Sequence, residues 1–256
     1  MANYQFATTV LKAFDVLDCF ETGTEELGIS DIAAQVGLPA SSVYRLIQSL
    51  EFEGLLFQNQ ENKKYYLGSK FYTLAGKGGR FQKFQQLASK YVDELADLTQ
   101  ETVNLAICSG DRIFNIYKKD SPYIVRPNFA LNAPYPAHCT GTGRIFLSQM
   151  TDTALKWVYE NSTADIPQPL PDFLDMLHKV RQNGWAQDDQ EFTPGLRCVA
   201  APVRAAGETV VFALSISAPT IRMTDEVYEQ SRQLVLKYAA LITEKLQAFC
   251  LTQSHE

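Results

Sequence analysis

The sequence predicts an α+β chain: an N-terminal winged helix-turn-helix domain, a linker helix, and a larger C-terminal α+β domain. Three observations predict it. Residues 30–46, Ser-Asp-Ile-Ala-Ala-Gln-Val-Gly-Leu-Pro-Ala-Ser-Ser-Val-Tyr-Arg-Leu, read as two short helices joined by a glycine turn. Two short β-like runs follow directly. Beyond residue 100 the pattern changes to hairpin-spaced strands and separate helices. A length of 256 residues suits two domains.

The elements follow in order. Residues 8–20 form a first helix, with Thr8 or Thr9 as cap. It carries two apolar stripes, Val10/Phe14/Leu17 and Ala13/Val16/Phe20. One stripe serves the domain core; the other serves either a thicker core or a second copy of the chain. Ser30 caps the next helix, which runs to Val36. Gly37 turns the chain, because glycine reaches positive φ without steric cost. Leu38 is a wedge between the helices, and Pro39 suits the first turn of a third helix reaching about Glu53. Val43, Leu46, Ile47 and Leu50 recur at spacings of three and four and face the core. Ser41, Ser42, Tyr44, Arg45, Gln48 and Ser49 are left outside. Gly54 ends this helix. Residues 55–58 and 64–67 then pair as strands around the loop Asn59-Gln60-Glu61-Asn62-Lys63, a wing beside a recognition helix.

Gly76, Gly78 and Gly79 mark a hinge. The helix over 81–99 presents Phe81, Phe84, Leu87, Ala88, Tyr91, Leu95 and Leu98 on one face. The expected organisation is a winged-helix domain at 1–75, a hinge and linker helix at 76–100, and an α+β sensor-like domain at 101–256. In the last of these, residues 103–108 and 113–118 flank Ser109-Gly110-Asp111 as a hairpin. A short helix over 141–150 follows a Gly-rich loop, and another covers 173–183 up to Gly184. Residues 199–205 and 210–217 make a second hairpin around Ala206-Gly207-Glu208. A long helix over 225–250 closes the chain, capped by Thr224.

Composition narrows the function classes. The start, Met-Ala-Asn-Tyr-Gln-Phe, has no basic region before an apolar run, so no signal peptide is expected, and no stretch is apolar for long enough to span a bilayer. Cys19, Cys108, Cys139, Cys198 and Cys250 are scattered and odd in number, which fits a reduced cytoplasmic chain. Cys19 and Cys250 read as buried thiols. A net charge of −6 speaks against a nonspecific nucleic-acid coat. Yet residues 62–92 contain no Asp or Glu, while Lys63, Lys64, Lys70, Lys77, Arg80, Lys83 and Lys90 fall there. This island is either a set of phosphate contacts or a solvated face. In the recognition helix Arg45 can pair with guanine and Gln48 with adenine, and Ser41, Ser42, Tyr44 and Ser49 reach phosphates or base edges. The alternative for Arg45 is a surface ion pair. Lys63 and Lys64 at the wing are phosphate contacts or a solvated loop tip.

The chain resembles the IclR family of bacterial transcription regulators. In the first half the likeness rests on Ala13-Phe14-Asp15-Val16-Leu17, on Ile32-Ala33 through Gly37-Leu38-Pro39-Ala40-Ser41-Ser42-Val43-Tyr44-Arg45-Leu46, and on Tyr66-Leu67-Gly68. In the second half it rests on Pro136-Ala137-His138-Cys139-Thr140-Gly141-Thr142-Gly143-Arg144, on Gly184-Trp185-Ala186-Gln187-Asp188-Asp189-Gln190-Glu191, on Gly195-Leu196-Arg197-Cys198-Val199-Ala200-Ala201-Pro202-Val203, and on Ser215-Ile216-Ser217. The resemblance implies a GAF-like effector-binding domain and a homodimer, often paired into a tetramer. It also implies operator binding under control of a small metabolite, more often as a repressor, with many members serving catabolic operons. Carried onto this chain, the effector site gathers Gly141, Thr142, Asp188, Leu196, Cys198, Ser215 and Ser217. Such a set suits a small organic acid: N–H groups at a helix start favour anions, and two serines spaced by two on a strand share a face. For Ser215 and Ser217 an outward polar face is the alternative. Leu131, Ile124 and Phe129 are candidate apolar walls. The family pattern usually has Lys where this chain has Arg144, which keeps the charge and changes the geometry.

Two other readings stay open at this stage. Cys139 and Cys198 could form a redox pair on a GAF-like domain, a thiol enzyme or sensor, although no nucleophile–base spacing accompanies His138, His178 or His255. The winged helix could instead serve a dimerising adaptor. His138, Cys139, Asp188 and Cys198 lack the spacing of a zinc motif, so neither a metal nor a cofactor is expected.

Overall fold

The computed structural model describes residues 7–22, 26–77, 79–162, 165–205 and 209–253. The expected turn at Ala206-Gly207-Glu208, Gly78, His255, and the side chains of Lys77 and Arg80 lie outside the described residues. The chain divides into two compact units, Met1–Arg80 and Phe81–Glu256.

In the first unit, α1 (Thr8–Asp18) runs into a 3-10 turn (Cys19–Thr22), followed by α2 (Ile29–Val36) and α3 (Ala40–Phe52). Next come β1 (Leu56–Gln58), β2 (Tyr65–Leu67) and α4 (Lys70–Lys77), a helix the sequence pattern did not announce. The core joins Val16 and Phe20 to Ile32, Val43, Ile47, Leu50, Leu56 and Tyr65. Each large apolar side chain buried there contributes roughly 1.5–3 kcal/mol. Leu38 is partly buried against this core, between α2 and α3. Gly37 ends α2 at φ 65°, a left-handed conformation that a β-carbon would penalise.

Three helix starts differ from expectation. The cap of α1 is Ala7, with no side-chain hydrogen bond, so Thr8 and Thr9 are the first helical residues. Gly28 precedes α2, and its N–H donates to Asp31 at 3.0 Å; Ser30 lies inside the helix. Pro39 is the residue before α3, at φ −57°, which its ring fixes, and ψ 139°.

In the second unit, α5 (Gly79–Thr99) leads to β3 (Thr102–Ser109), β4 (Arg112–Lys119) and the short β5 (Pro134–Pro136). Helices α6 (Gly141–Leu147), α7 (Asp152–Asn161) and α8 (Leu170–Asn183) follow, then β6 (Ala186–Asp189), β7 (Leu196–Arg204), β8 (Val210–Pro219) and α9 (Asp225–Gln253). The strands form one antiparallel sheet in the order β5-β4-β3-β8-β7-β6. Its two faces separate by the period of two along each strand. Phe212, Leu214, Ile216 and Ala218 of β8, with Val199, Ala201 and Val203 of β7, join the core shared with α5 and α9. The alternate residues face the side covered by α6, α7 and α8.

The helix expected as a linker packs into this unit through Phe84, Ala88, Val92, Leu95 and Ala96. Val92 and Ala96 therefore replace Leu98 on the buried face, and Leu98 and Phe81 are exposed. The reason is width: a helix lying flat on a sheet buries a stripe broader than one row of positions. Thr224 caps α9 as expected, accepting from Val227 N–H at 3.4 Å.

Candidate functional site

Two places carry chemistry, one in each unit. In the first, α3 turns Val43, Ile47 and Leu50 inward, which leaves Ser41, Tyr44, Arg45, Gln48 and Ser49 exposed and Ser42 half-buried. Gln48 donates to the Tyr44 hydroxyl at 3.0 Å, an i,i+4 pair that ties two candidate readers together. Ser49 donates back to the Arg45 carbonyl at 3.2 Å. Arg45 makes no ion pair among the described residues, so its guanidinium is available to an acceptor outside the unit.

The wing is held by a residue the sequence reading missed. Glu26 accepts from Asn59 at 2.8 Å and from Asn62 at 2.5 Å, and these bonds hold its carboxyl below the usual range. Leu27 pairs with Tyr65, adding an edge to the hairpin. Asn62 accepts from Lys64 N–H, and Lys63 adopts φ 61°. Lys63 and Lys64 thus sit on an ordered, exposed tip. The signal for Glu26 was faint, because an acid pairs with two Asn more than thirty positions away. The basic island spans both units: Lys63, Lys64 and Lys70 belong to the first, Lys83 and Lys90 to the second. Lys70 faces Glu53 at 3.7 Å, Lys90 faces Glu94 at 3.7 Å, and Lys83 lies over the Phe249 ring.

In the second unit a cavity of about 20 Å³ lies on the α6 side of the sheet. Its floor is a cross-strand array. Asp188 of β6 stands opposite Cys198 of β7, and Cys198 opposite Ser217 of β8. Ser215 stands opposite Asn104 of β3. Gly141, Thr142, Asp188, Cys198, Ser215 and Ser217 all line this cavity. The serines therefore point inward, not to a polar outer face. Leu196 lines a neighbouring cavity of about 460 Å³ instead, together with residues 125–129 and 192–195. Of the three apolar walls expected, only Phe129 is present. Ile124 is 95% exposed and Leu131 is exposed too.

The remaining walls were missed: Asn104, Ile113, Asn115, Tyr135, Thr140 and Phe192. Phe129, Tyr135 and Phe192 pack as a triangle, with centroids 5.5, 5.8 and 6.2 Å apart. The same three rings line both cavities and divide them.

Helix α6 starts on Thr140, which accepts from Gly143 N–H at 3.3 Å and donates to the Pro136 carbonyl at 2.9 Å. A β-carbon on Gly143 would meet the Ala137 backbone at 2.2 Å, which accounts for glycine there. Arg144 is buried and points away from the cavity. It donates to the carbonyls of His138 at 2.9 Å and Gln187 at 2.8 Å, and forks onto Glu191 at 2.6 Å. Asp188 accepts from Glu191 and Phe192 N–H at 2.9 and 3.2 Å, but burial outweighs these bonds and raises its carboxyl above the usual range. Burial likewise holds His138 below its ordinary value, with Arg144 adding to the effect.

Thiol chemistry is poorly served. Burial, with Asp188 nearby, pushes the Cys139 thiol up to about 11, and burial pushes Cys198 up to about 12. Protonated thiols are weak nucleophiles. Among the described residues, no three of His, Cys, Asp and Glu converge as metal ligands.

A helix-turn-helix with an open reading face and an ordered wing defines a DNA-binding transcriptional regulator. The family comparison agrees. The pattern described as "Bacterial transcriptional regulator IclR C-terminal" matches residues 82–244, and the IclR helix-turn-helix domain matches residues 9–60. The chain belongs to the IclR family, whose members regulate transcription and are not enzymes. It is 32% identical over 225 residues to the HTH-type transcriptional regulator KdgR of Dickeya chrysanthemi, covering 86% of this chain and 73% of that one. The crystal structure of an IclR transcriptional regulator from Silicibacter sp. TM1040 superposes with a TM-score of 0.81 at 25% identity, covering 93% of this chain and 96% of that one. An IclR homologue from Microbacterium hydrocarbonoxydans, complexed with 4-hydroxybenzoate, shares the fold at 18% identity with a TM-score of 0.68, covering 94% of this chain and 99% of that one. Among the described residues no helix is long and apolar enough to cross a membrane.

Proposed function

We propose that this regulator is a metabolite-responsive repressor, acting in the cytoplasm on a catabolic operon, whose effector is a small organic acid. The observation that carries the reading is the buried polar floor of the sheet domain, where Asn104 Oδ1 has no hydrogen-bond partner and Ser217 Oγ has only the Cys198 thiol beside it. A core that only needed packing would not keep such groups. The organic acid bound to the Microbacterium homologue supports the ligand class.

On the DNA side, Arg45, Gln48 and Tyr44 with Ser41, Ser42 and Ser49 read a double-stranded operator, and Lys63 and Lys64 hold phosphates. Repression needs only occupancy of the operator. The protein works as a homodimer, or as two dimers joined in a tetramer. Val10, Leu11 and Phe14 of α1 support this: they are 53, 48 and 58% exposed on a helix whose other face fills the core. Effector binding must favour one arrangement of the two units over another, or it shifts nothing. The segment 76–79 is the hinge in this reading, and α5 carries the change.

Operator binding tests it. A labelled fragment from upstream of the gene and its neighbours is titrated at two salt concentrations, with and without a panel of small organic acids. Salt-sensitive, selective binding that one acid abolishes is the expected result. Binding that an acid strengthens would make it a corepressor or activator ligand. Selective binding indifferent to every acid would overturn the effector class, and no selective binding would overturn the operator.

A further inference from the structure

On the pocket side of the sheet, Asn104 of β3 stands opposite Ser215 and diagonal to Ser217 of β8. Asn104 is 2% exposed and Ser217 is 1% exposed. Asn104 Oδ1 lacks a hydrogen-bond partner, and Ser217 Oγ has no nitrogen or oxygen partner, only the Cys198 thiol opposite it, a weak acceptor. Other polar groups of the floor are engaged, Thr140 with the Pro136 carbonyl and Asp188 with two backbone N–H groups. A buried polar atom without a good partner is costly, and two of them beside one cavity leave a place for a matching group. We propose that Asn104 and Ser217 together recognise a hydroxyl of the effector, which makes the effector a hydroxy-substituted organic acid.

The inference rests on the reading of this cavity as the effector site. A hydroxyl is the complementary group, because it has one proton and two lone pairs. It donates to Asn104 Oδ1, which only accepts, and it accepts from the Ser217 hydroxyl. Diagonal neighbours on adjacent strands are close enough for one oxygen to bridge them. A carboxylate has no proton for Asn104 Oδ1, and a methyl group would leave both atoms unsatisfied.

Matched acids test the assignment on the full chain. Calorimetric titrations use lactate against propionate, 3-hydroxybutyrate against butyrate, and 4-hydroxybenzoate against benzoate. The proteins are the unmodified chain, Asn104→Leu and Ser217→Ala. At least one hydroxy acid should bind the unmodified chain about tenfold or more tightly than its deoxy partner. Both variants should bring that ratio close to one. Without ligand, Asn104→Leu should melt no lower than the unmodified chain, since it removes an orphaned carbonyl; a purely structural Asn104 would lower the melting point. A hydroxyl preference that persists in both variants, or binding with no such preference, overturns the proposal and leaves the pocket standing. Binding of none of the six acids overturns the acid-effector reading and this proposal with it. If Asn104→Leu does not fold, Ser217→Ala decides alone.

Discussion

Arg45, Arg144 and Asp188 show how one side chain's surroundings decide its role. Arg45 is exposed with no ion pair among the described residues, so nothing in the fold depends on its charge. Arg45→Ala should weaken operator binding by about 1–3 kcal/mol and leave the melting temperature unchanged. Gel-shift titration beside thermal melting checks both halves, and an equal loss in the two would make Arg45 structural. Arg144 is the reverse case. Its planar fork satisfies two carbonyls and the Glu191 carboxylate at once, which an ammonium cannot do from one position. Arg144→Lys, though it restores the residue usual in the family, should cost roughly 1–3 kcal/mol in denaturant unfolding. Asp188 links the pocket to pH. Burial raises its carboxyl, so between the ordinary carboxylate range and the raised value the folded chain holds a proton that the unfolded chain has lost. Stability from this group therefore falls as pH rises through that window. Asp188→Asn keeps the acceptor oxygen and removes the charge, so it should flatten the slope in acid melting curves. An unchanged slope would place the titration elsewhere.

At the scale of elements, α1 and the wing each expose something the core does not need. Val16 and Phe20 anchor α1, so its Val10/Leu11/Phe14 side is free of structural duty within the unit. Phe14→Ser should raise the dimer dissociation constant by about tenfold in sedimentation experiments and leave the monomer's helix content unchanged. A variant that unfolds instead would put Phe14 in the core. The wing depends on Glu26, whose two Asn donors fix the tip that carries Lys63 and Lys64. The sheet shows the same economy. Strand β8 is apolar almost throughout, and its two serines fall where the period of two turns them into the cavity. The three aromatic rings that line this cavity come from β5 and from two loops. A volume of about 20 Å³ holds roughly one water, so the proposed acid fits only once such walls give way. Phe192→Ala should therefore speed acid binding in stopped-flow fluorescence. An unchanged association rate would mean another route.

For the whole molecule, local and non-local information divide cleanly. The sequence by itself determined the helix-turn-helix, the wing strands, the Gly37 turn, the long last helix and the family. These depend on residues within one turn or one hairpin of each other, where apolar period and turn chemistry decide the outcome. Six of the seven effector candidates line one cavity, because Ser215 and Ser217 share a strand face and Gly141 and Thr142 share a helix start. Helix α4, strands β5 and β6 and helix α7 escaped the sequence reading, being short and weakly periodic. The tertiary structure alone decided the rest. It set Leu196 outside the cavity, brought Glu26 to the wing, turned Arg144 into a clamp, and laid α5 on the sheet. It also set Asn104 beside Ser217, residues 113 positions apart in the chain, by the register of β3 against β8. That register is a property of the assembled sheet, where both faces must be buried at once, and no short stretch of sequence contains it.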